Sequence, residues 1–199
     1  MLLIERSGKR ARRAVWTAFL AGLALACGKQ DRVDPTAAPI ADFLKRVDEY
    51  VALRNRLADA IGPVDETKSQ AEITLRAATL ASNIKLERAQ AKPGDLFTTE
   101  VATVFATLIH QEDSRRPDSV RETREDQQEE LPDFVPQVNE IYPTTYPLAT
   151  FPARLLPLLP KLPEQVEYRI VQHYLILRDV EANLIVDFMP HAVPAEKAP

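Results

Sequence analysis

The sequence predicts an α+β fold: an amino-terminal helical hairpin and a third helix, packed on a small three-stranded antiparallel sheet at the carboxyl terminus. Three observations carry this. Apolar residues recur at three- and four-residue steps through residues 40–61 and again up to Ile109, the spacing of one helix face. From Val166 onward they alternate with polar residues, the period of a half-buried strand. Between the two regions, residues 132–163 hold eight of the sixteen prolines. Each removes a backbone donor and holds its predecessor extended, so this stretch must be a connector of short turns.

The first helix is expected over residues 40–61, with Ile40, Phe43, Leu44, Val47, Tyr50, Val51, Leu57 and Ile61 as its apolar stripe and Gly62-Pro63 as its stop. Asp65 offers an N-cap for a second helix reaching about Ala91, striped by Ile73, Ala77, Leu80, Ala81 and Ile84. Alanine on that face allows close approach, hence the hairpin. Pro93-Gly94 ends the pair, and Thr98 or Thr99 caps a third helix that turns Val101, Val104, Phe105, Leu108 and Ile109 inward. Residues 112–130 are then dominated by charge, with Val120 as the lone aliphatic side chain, and have no face to bury.

Three strands follow. Val166, Tyr168 and Ile170 alternate with Glu167 and Arg169; Gln172-His173 turns the chain into Tyr174 to Arg178; Leu184, Val186 and Phe188 alternate with Ile185 and Asp187. The inner face is expected to be Tyr168, Ile170, Leu175, Leu177, Leu184, Val186 and Phe188. Three strands alone are marginal in water, so this face should rest on the helices. The domain is expected over residues 40–190, with a disordered tail over 191–199.

The start of the chain carries an address. Arg6, Lys9, Arg10, Arg12 and Arg13 precede an uncharged stretch, residues 14–26, which is short of the ~20 apolar residues that span a bilayer. This layout is a secretory signal peptide over residues 1–26, and Arg12-Arg13 leaves Sec and twin-arginine export both open. The stretch runs into Ala24-Leu25-Ala26-Cys27, the chain's single cysteine. That junction resembles the lipobox of bacterial lipoproteins, although Ala24 stands where leucine is most common. The resemblance implies lipidation at Cys27, with palmitate among the acyl chains. Because Gly28 follows where inner-membrane lipoproteins typically carry aspartate, it implies the periplasmic face of the outer membrane rather than the inner membrane. Residues 27–39 would then be the lipidated cysteine and a tether. A single thiol cannot form an internal disulfide, so an exported domain would rely on its core.

Cleavage leaves 173 of the 199 residues, enough for one domain. Taking five basic residues and one acid from the 25 and 29 of the whole chain leaves 20 Lys and Arg against 28 Asp and Glu, a net charge of −8. Nucleic-acid binding rests on neutralising phosphates, so this balance excludes it.

The run from Tyr142-Pro143, through Pro147-Leu148-Ala149-Thr150 and Glu167-Tyr168-Arg169, to Leu175 and onward through Arg178-Asp179-Val180-Glu181-Ala182-Asn183 to Asp187 resembles a family of uncharacterised bacterial exported proteins. The resemblance covers only this carboxyl-terminal part. It implies a shared domain and no activity.

Candidate chemistry centres on Asp179, Glu181 and Asp187, with Arg178 and Asn183 beside them. Asp179 and Asp187 are expected to lie across the last hairpin from one another. Paired carboxylates can divide acid and base roles or hold a hard cation. The simpler reading has Asp179 and Asn183 shaping the turn while Glu181 and Asp187 face water, and it is preferred. His110 complements the dipole at a helix C-terminus, while His173 at a turn and His191 in the tail are expected to be solvated. No His-x-x-x-His, Gly-x-Ser-x-Gly or glycine-rich phosphate loop occurs, and no cofactor or metal is expected. Tyr142, Tyr146 and Phe151, interleaved with prolines, are read as sealing the connector onto the core, with an extended docking surface as the alternative. The expected function is a lipid-anchored envelope protein acting as a non-catalytic binding module, with an unidentified protein partner. Its competitor is an envelope hydrolase using Asp179, Glu181 and Asp187 with a histidine.

Overall fold

The computed structural model describes residues 34–63, 69–115, 134–143 and 154–193. Three helices, α1 (Ala37–Ile61), α2 (Gln70–Glu87) and α3 (Thr99–Asp113), precede a sheet of β1 (Val166–Val171), β2 (Tyr174–Asp179) and β3 (Leu184–Met189). The sheet is an antiparallel meander in the order β1-β2-β3, so the α+β expectation holds. α1 packs against both α2 and α3. Among the described residues no helix is long and apolar enough to cross a membrane.

α1 buries Phe43, Val47, Tyr50, Arg54 and Ala58, a stripe at four- and three-residue steps, and ends at Gly62, whose φ of 91° few other residues adopt. α2 starts later than expected. Its N-cap is Ser69, whose hydroxyl accepts from the Glu72 N–H while the Glu72 carboxylate accepts from the Ser69 N–H, a reciprocal capping box. Asp65 lies outside the described residues. The shorter helix buries Leu80, Ala81 and Ile84 but leaves Ile73, expected in the core, 44% exposed. α3 is capped by the Thr98 side chain and turns Val101, Phe105 and Ile109 inward. The charged segment beyond Arg115 lies outside the described residues up to residue 133.

The core sits between the helices and one face of the sheet. Phe43 of α1 stacks on Phe97 at 5.3 Å and meets Phe105 of α3 edge-on at 5.1 Å, and Tyr168 of β1 closes the aromatic group. Leu175, Leu177, Leu184, Val186 and Met189 pack beneath it. Phe188 is different. The β2–β3 ladder pairs Leu177 with Asp187 and Arg178 with Ile185, passing over Val186. This bulge shifts the alternation by one place, and Phe188 joins a second apolar cluster of Tyr142, Val171, Ile176 and Ile185. Both faces of the sheet are therefore covered.

The connector contributes two pieces. A 3₁₀ turn, Leu156–Leu158, sits beside buried Leu155 and Leu159. Residues 139–142 run along the outer edge of β3, where the Asn139 N–H donates to Ile185 O and the Ile185 N–H to Glu140 O, both at 2.8 Å. Tyr142 is buried there, while Tyr146 and Phe151 lie outside the described residues. The core also extends past the expected boundary at Pro190: Ala192 and Val193 are 0% and 4% exposed, so the tail is packed at least that far. Residues 1–33, including the leader and Cys27, lie outside the described residues.

Candidate functional site

Asp179 and Asp187 lie on the helix-facing side of the sheet and are both fully buried, but they do not face each other: Asp179 pairs with Leu184 and Asp187 with Leu177. The register set at the β2–β3 turn keeps them apart, and the bulge at Val186 turns Asp187 to the helix-facing side, toward the loop before α3. Each carboxylate is satisfied by its own partners.

Asp179 ends β2. Its Oδ1 accepts from the Ala182 N–H at 2.8 Å, which is the turn-shaping role expected of it. Its Oδ2 faces α1, accepting from the Tyr50 hydroxyl at 2.8 Å and from Arg54 Nε at 3.3 Å. Arg54 Nη2 donates onward to Glu181 Oε2 at 2.6 Å, and Arg76 Nε of α2 donates to Glu181 Oε1 at 2.8 Å. Arg76 Nη1 also bonds Gly62 O, the C-cap of α1. The β2–β3 turn is thus clamped to both helices of the hairpin by two arginines. Burial opposes ionisation of Glu181, but the hydrogen bonds from Arg54 and Arg76 outweigh it and hold the carboxyl below its ordinary range. Burial likewise pulls down on Arg54, and its bonds to Glu181 and Asp179 leave it above the usual value.

Asp187, expected to face water, instead organises the loop between α2 and α3. Its oxygens accept from the N–H groups of Gly94 at 2.9 Å, Leu96 at 2.7 Å and Phe97 at 2.8 Å, and from its neighbour Phe188 at 2.8 Å. Burial pushes its carboxyl up, and the four donors counter that shift only in part. The passed-over Val186 gives its carbonyl to Arg88 Nη2 at 3.0 Å. Arg88 caps α2, lies 5.0 Å over the Tyr50 ring and donates to Asn139 Oδ1 at 3.0 Å. Burial lowers its guanidinium from the usual value.

Arg178 and Asn183 belong to the opposite face. Arg178 Nε donates to Asn183 Oδ1 at 2.7 Å, its Nη1 meets Glu167, and its guanidinium lies 5.5 Å over the Tyr142 ring. Asn183 takes φ 49° and donates through Nδ2 to Tyr142 O at 2.9 Å. The five residues singled out in the sequence therefore form three separate structural groups, each closed by its own partners.

The histidines do converge. His110 Nε2 lies 3.2 Å from His191 O, and the rings of His173 and His191 stack 5.5 Å apart. His110 and His191 border an open groove of about 600 Å³ between α3 and the end of β3, lined also by Phe97, Ala102, Ala106 and Phe188. Among the described residues no carboxylate lines that groove. Among the described residues no three His, Cys, Asp or Glu side chains gather as a metal-binding group.

No family model matches the chain, and neither a curated protein nor a solved structure is similar to it. Sequence reasoning missed Tyr50, Arg54, Arg76, Arg88 and Asn139. One signal was available: Arg54 falls on the α1 stripe, four residues after Tyr50 and four before Ala58. A cation on a buried face implies a buried anion.

Proposed function

We propose that the protein is a lipid-anchored, non-catalytic binding module of the bacterial cell envelope. One observation carries the non-catalytic half of this reading: Asp179, Glu181 and Asp187 are each occupied by arginines, a tyrosine or backbone N–H groups. A general acid, base or nucleophile must reach a substrate atom, and these oxygens are spent on holding the hairpin and the α2–α3 loop. The hydrolase reading needs a carboxylate beside a histidine in one concavity. Among the described residues, the groove that holds His110 and His191 has none.

The anchoring half rests on the basic start, the apolar stretch and Ala24-Leu25-Ala26-Cys27. Each buried methylene contributes about 0.8 kcal/mol, so several acyl chains hold a domain at a membrane through salt washes that remove electrostatically bound proteins. Two measurements test this. Mass spectrometry of the mature amino terminus should find a diacylglyceryl-modified Cys27. Cys27→Ser should yield either a soluble periplasmic protein or an uncleaved precursor without lipid. An unmodified thiol, or a mature chain starting elsewhere, removes the membrane from the reading. Purified protein that hydrolyses ester, amide or glycoside substrates, with loss of turnover in Asp187→Asn and retained folding, would overturn the non-catalytic half.

A further inference from the structure

We propose that His173 and His191 make residues 190–193 a pH-responsive wall of the groove: when both rings are protonated they repel, and this strap loosens. The inference stands apart from the reading of the protein as a lipid-anchored binding module, since it concerns the fold's own closure and holds whatever the chain binds.

The strap is closed by three contacts. The backbone turns at His191, φ 55°, and sends Ala192 and Val193 into the core. The Ala192 N–H donates to His173 O at 2.8 Å, joining the strap to the loop between β1 and β2. Above that bond the two imidazoles lie face to face, centroids 5.5 Å apart and planes 20° apart, with the Tyr174 ring 4.2 Å from His173. Pro190 and His191 line the groove, so movement of the strap changes its width.

Among the described residues, the groups that face this pair supply no counter-charge. From the start of β2 comes Tyr174, whose own ring meets Phe188 of β3. From α3 comes His110, a further potential cation. In the last turn of that helix Glu112 pairs with Arg115, and Asp113 is buried. Among the described residues no carboxylate forms an ion pair with any of the three imidazoles.

Two unit charges at this separation, in a partly exposed site of high effective dielectric, shift an opening equilibrium by about three- to tenfold. The direction agrees with the environment of His173, whose imidazole is held below its ordinary value of 6.5 by burial and by the neighbouring His191. A depressed folded-state value means that the stabilising contribution is complete above 6.5 and is lost as pH falls through the folded-state value. His110 acts the other way. A carbonyl only accepts, so Nε2 carries the hydrogen in its bond to His191 O, and protonation of the ring keeps that donor and strengthens it. The strap therefore opens at its rings while tethered at one carbonyl, and the fold as a whole survives.

Amide hydrogen exchange on the full chain tests this. The protection of the Ala192 amide, relative to that of Leu177 in the central strand, should fall about three- to tenfold between pH 7.5 and pH 5, the range across which histidine titrates. His173→Asn should abolish that pH dependence, and so should His191→Asn, which tolerates the left-handed backbone. His110→Ala should lower Ala192 protection at both pH values, and more so at pH 5, where the contact it removes is the stronger. A pH-independent ratio in the wild type, or a drop that persists in both asparagine variants, overturns the proposal.

Discussion

Arg54 and Asp179 form a buried ion pair, Nε to Oδ2 at 3.3 Å, that ties the middle of α1 to the end of β2 across 125 residues of chain. Their side chains are 7% and 0% exposed. Removing one partner of such a pair leaves an unpaired charge out of water, which costs about 3–5 kcal/mol. Arg54→Met should therefore lower stability by about 3 kcal/mol or more in urea denaturation. Asp179→Asn keeps the hydrogen bond to Ala182 but loses the ion pair, so its cost should be similar. If Asp179 only shaped the turn, asparagine would be tolerated at almost no cost, and the same melt decides between the two.

Asp187 should be harder still to replace. Asp187→Ala strands the N–H groups of Gly94, Leu96 and Phe97, and each buried unpaired donor costs about 1–3 kcal/mol. A loss of about 3 kcal/mol or more is expected, with amide exchange of Leu96 and Phe97 accelerating before that of the sheet. Unchanged exchange at those two positions would show that the loop before α3 holds its shape without the carboxylate.

Glu181 makes the hairpin clamp acid-sensitive. Its folded-state value lies below the ordinary 4.5, held there by Arg54 and Arg76. Its contribution is therefore complete above 4.5 and is lost as pH falls through the folded-state value. Glu181→Gln should be less stable than the wild type at neutral pH, and the difference should shrink as the solution is taken from pH 5 to pH 3. Parallel stability curves over that range would count against the clamp.

Gln172 sits at φ 51° in the two-residue loop between β1 and β2. A long side chain is uncommon there, and glycine adopts this conformation without strain. Gln172→Gly should be neutral or stabilising by up to about 1 kcal/mol, read as a rise in melting temperature. A clear loss would indicate that the contacts Gln172 makes outweigh the relief at its backbone.

The helices and the meander were legible because their periods differ and their stop signals are local: Gly62 after α1, Pro93-Gly94 before α3, Gln172-His173 between β1 and β2. The start of α2 was legible too, since Ser69 and Glu72 spell a capping box, but Asp65 offered an earlier cap that competed with it. Ile73 fits a helical stripe by spacing, yet it lies in the first turn of α2, where little packs over it. The bulge left no trace in the alternation of Leu184, Val186 and Phe188. It is favoured by partners far along the chain, the loop N–H groups that Asp187 meets and the Arg88 guanidinium that takes the Val186 carbonyl. Asp179 keeps the turn-shaping bond that its place in the sequence suggests. Asp187 is buried rather than solvated, because a burial assigned from alternation fails wherever the alternation slips.

The slip at Val186 also makes β3 a strand whose length carries information. Because residues on either side of it are in opposite phase, closing the bulge so that Val186 pairs with Leu177 would return the strand to strict alternation, exchange Asp187 for Phe188 at the helix-facing side and strand the carboxylate among Tyr142, Ile176 and Ile185. Point substitutions along β3 act on one contact each. A shift of phase acts on all of them together, so related chains that share this architecture should tolerate altered letters between Leu184 and Met189 far better than a residue gained or lost beyond Val186.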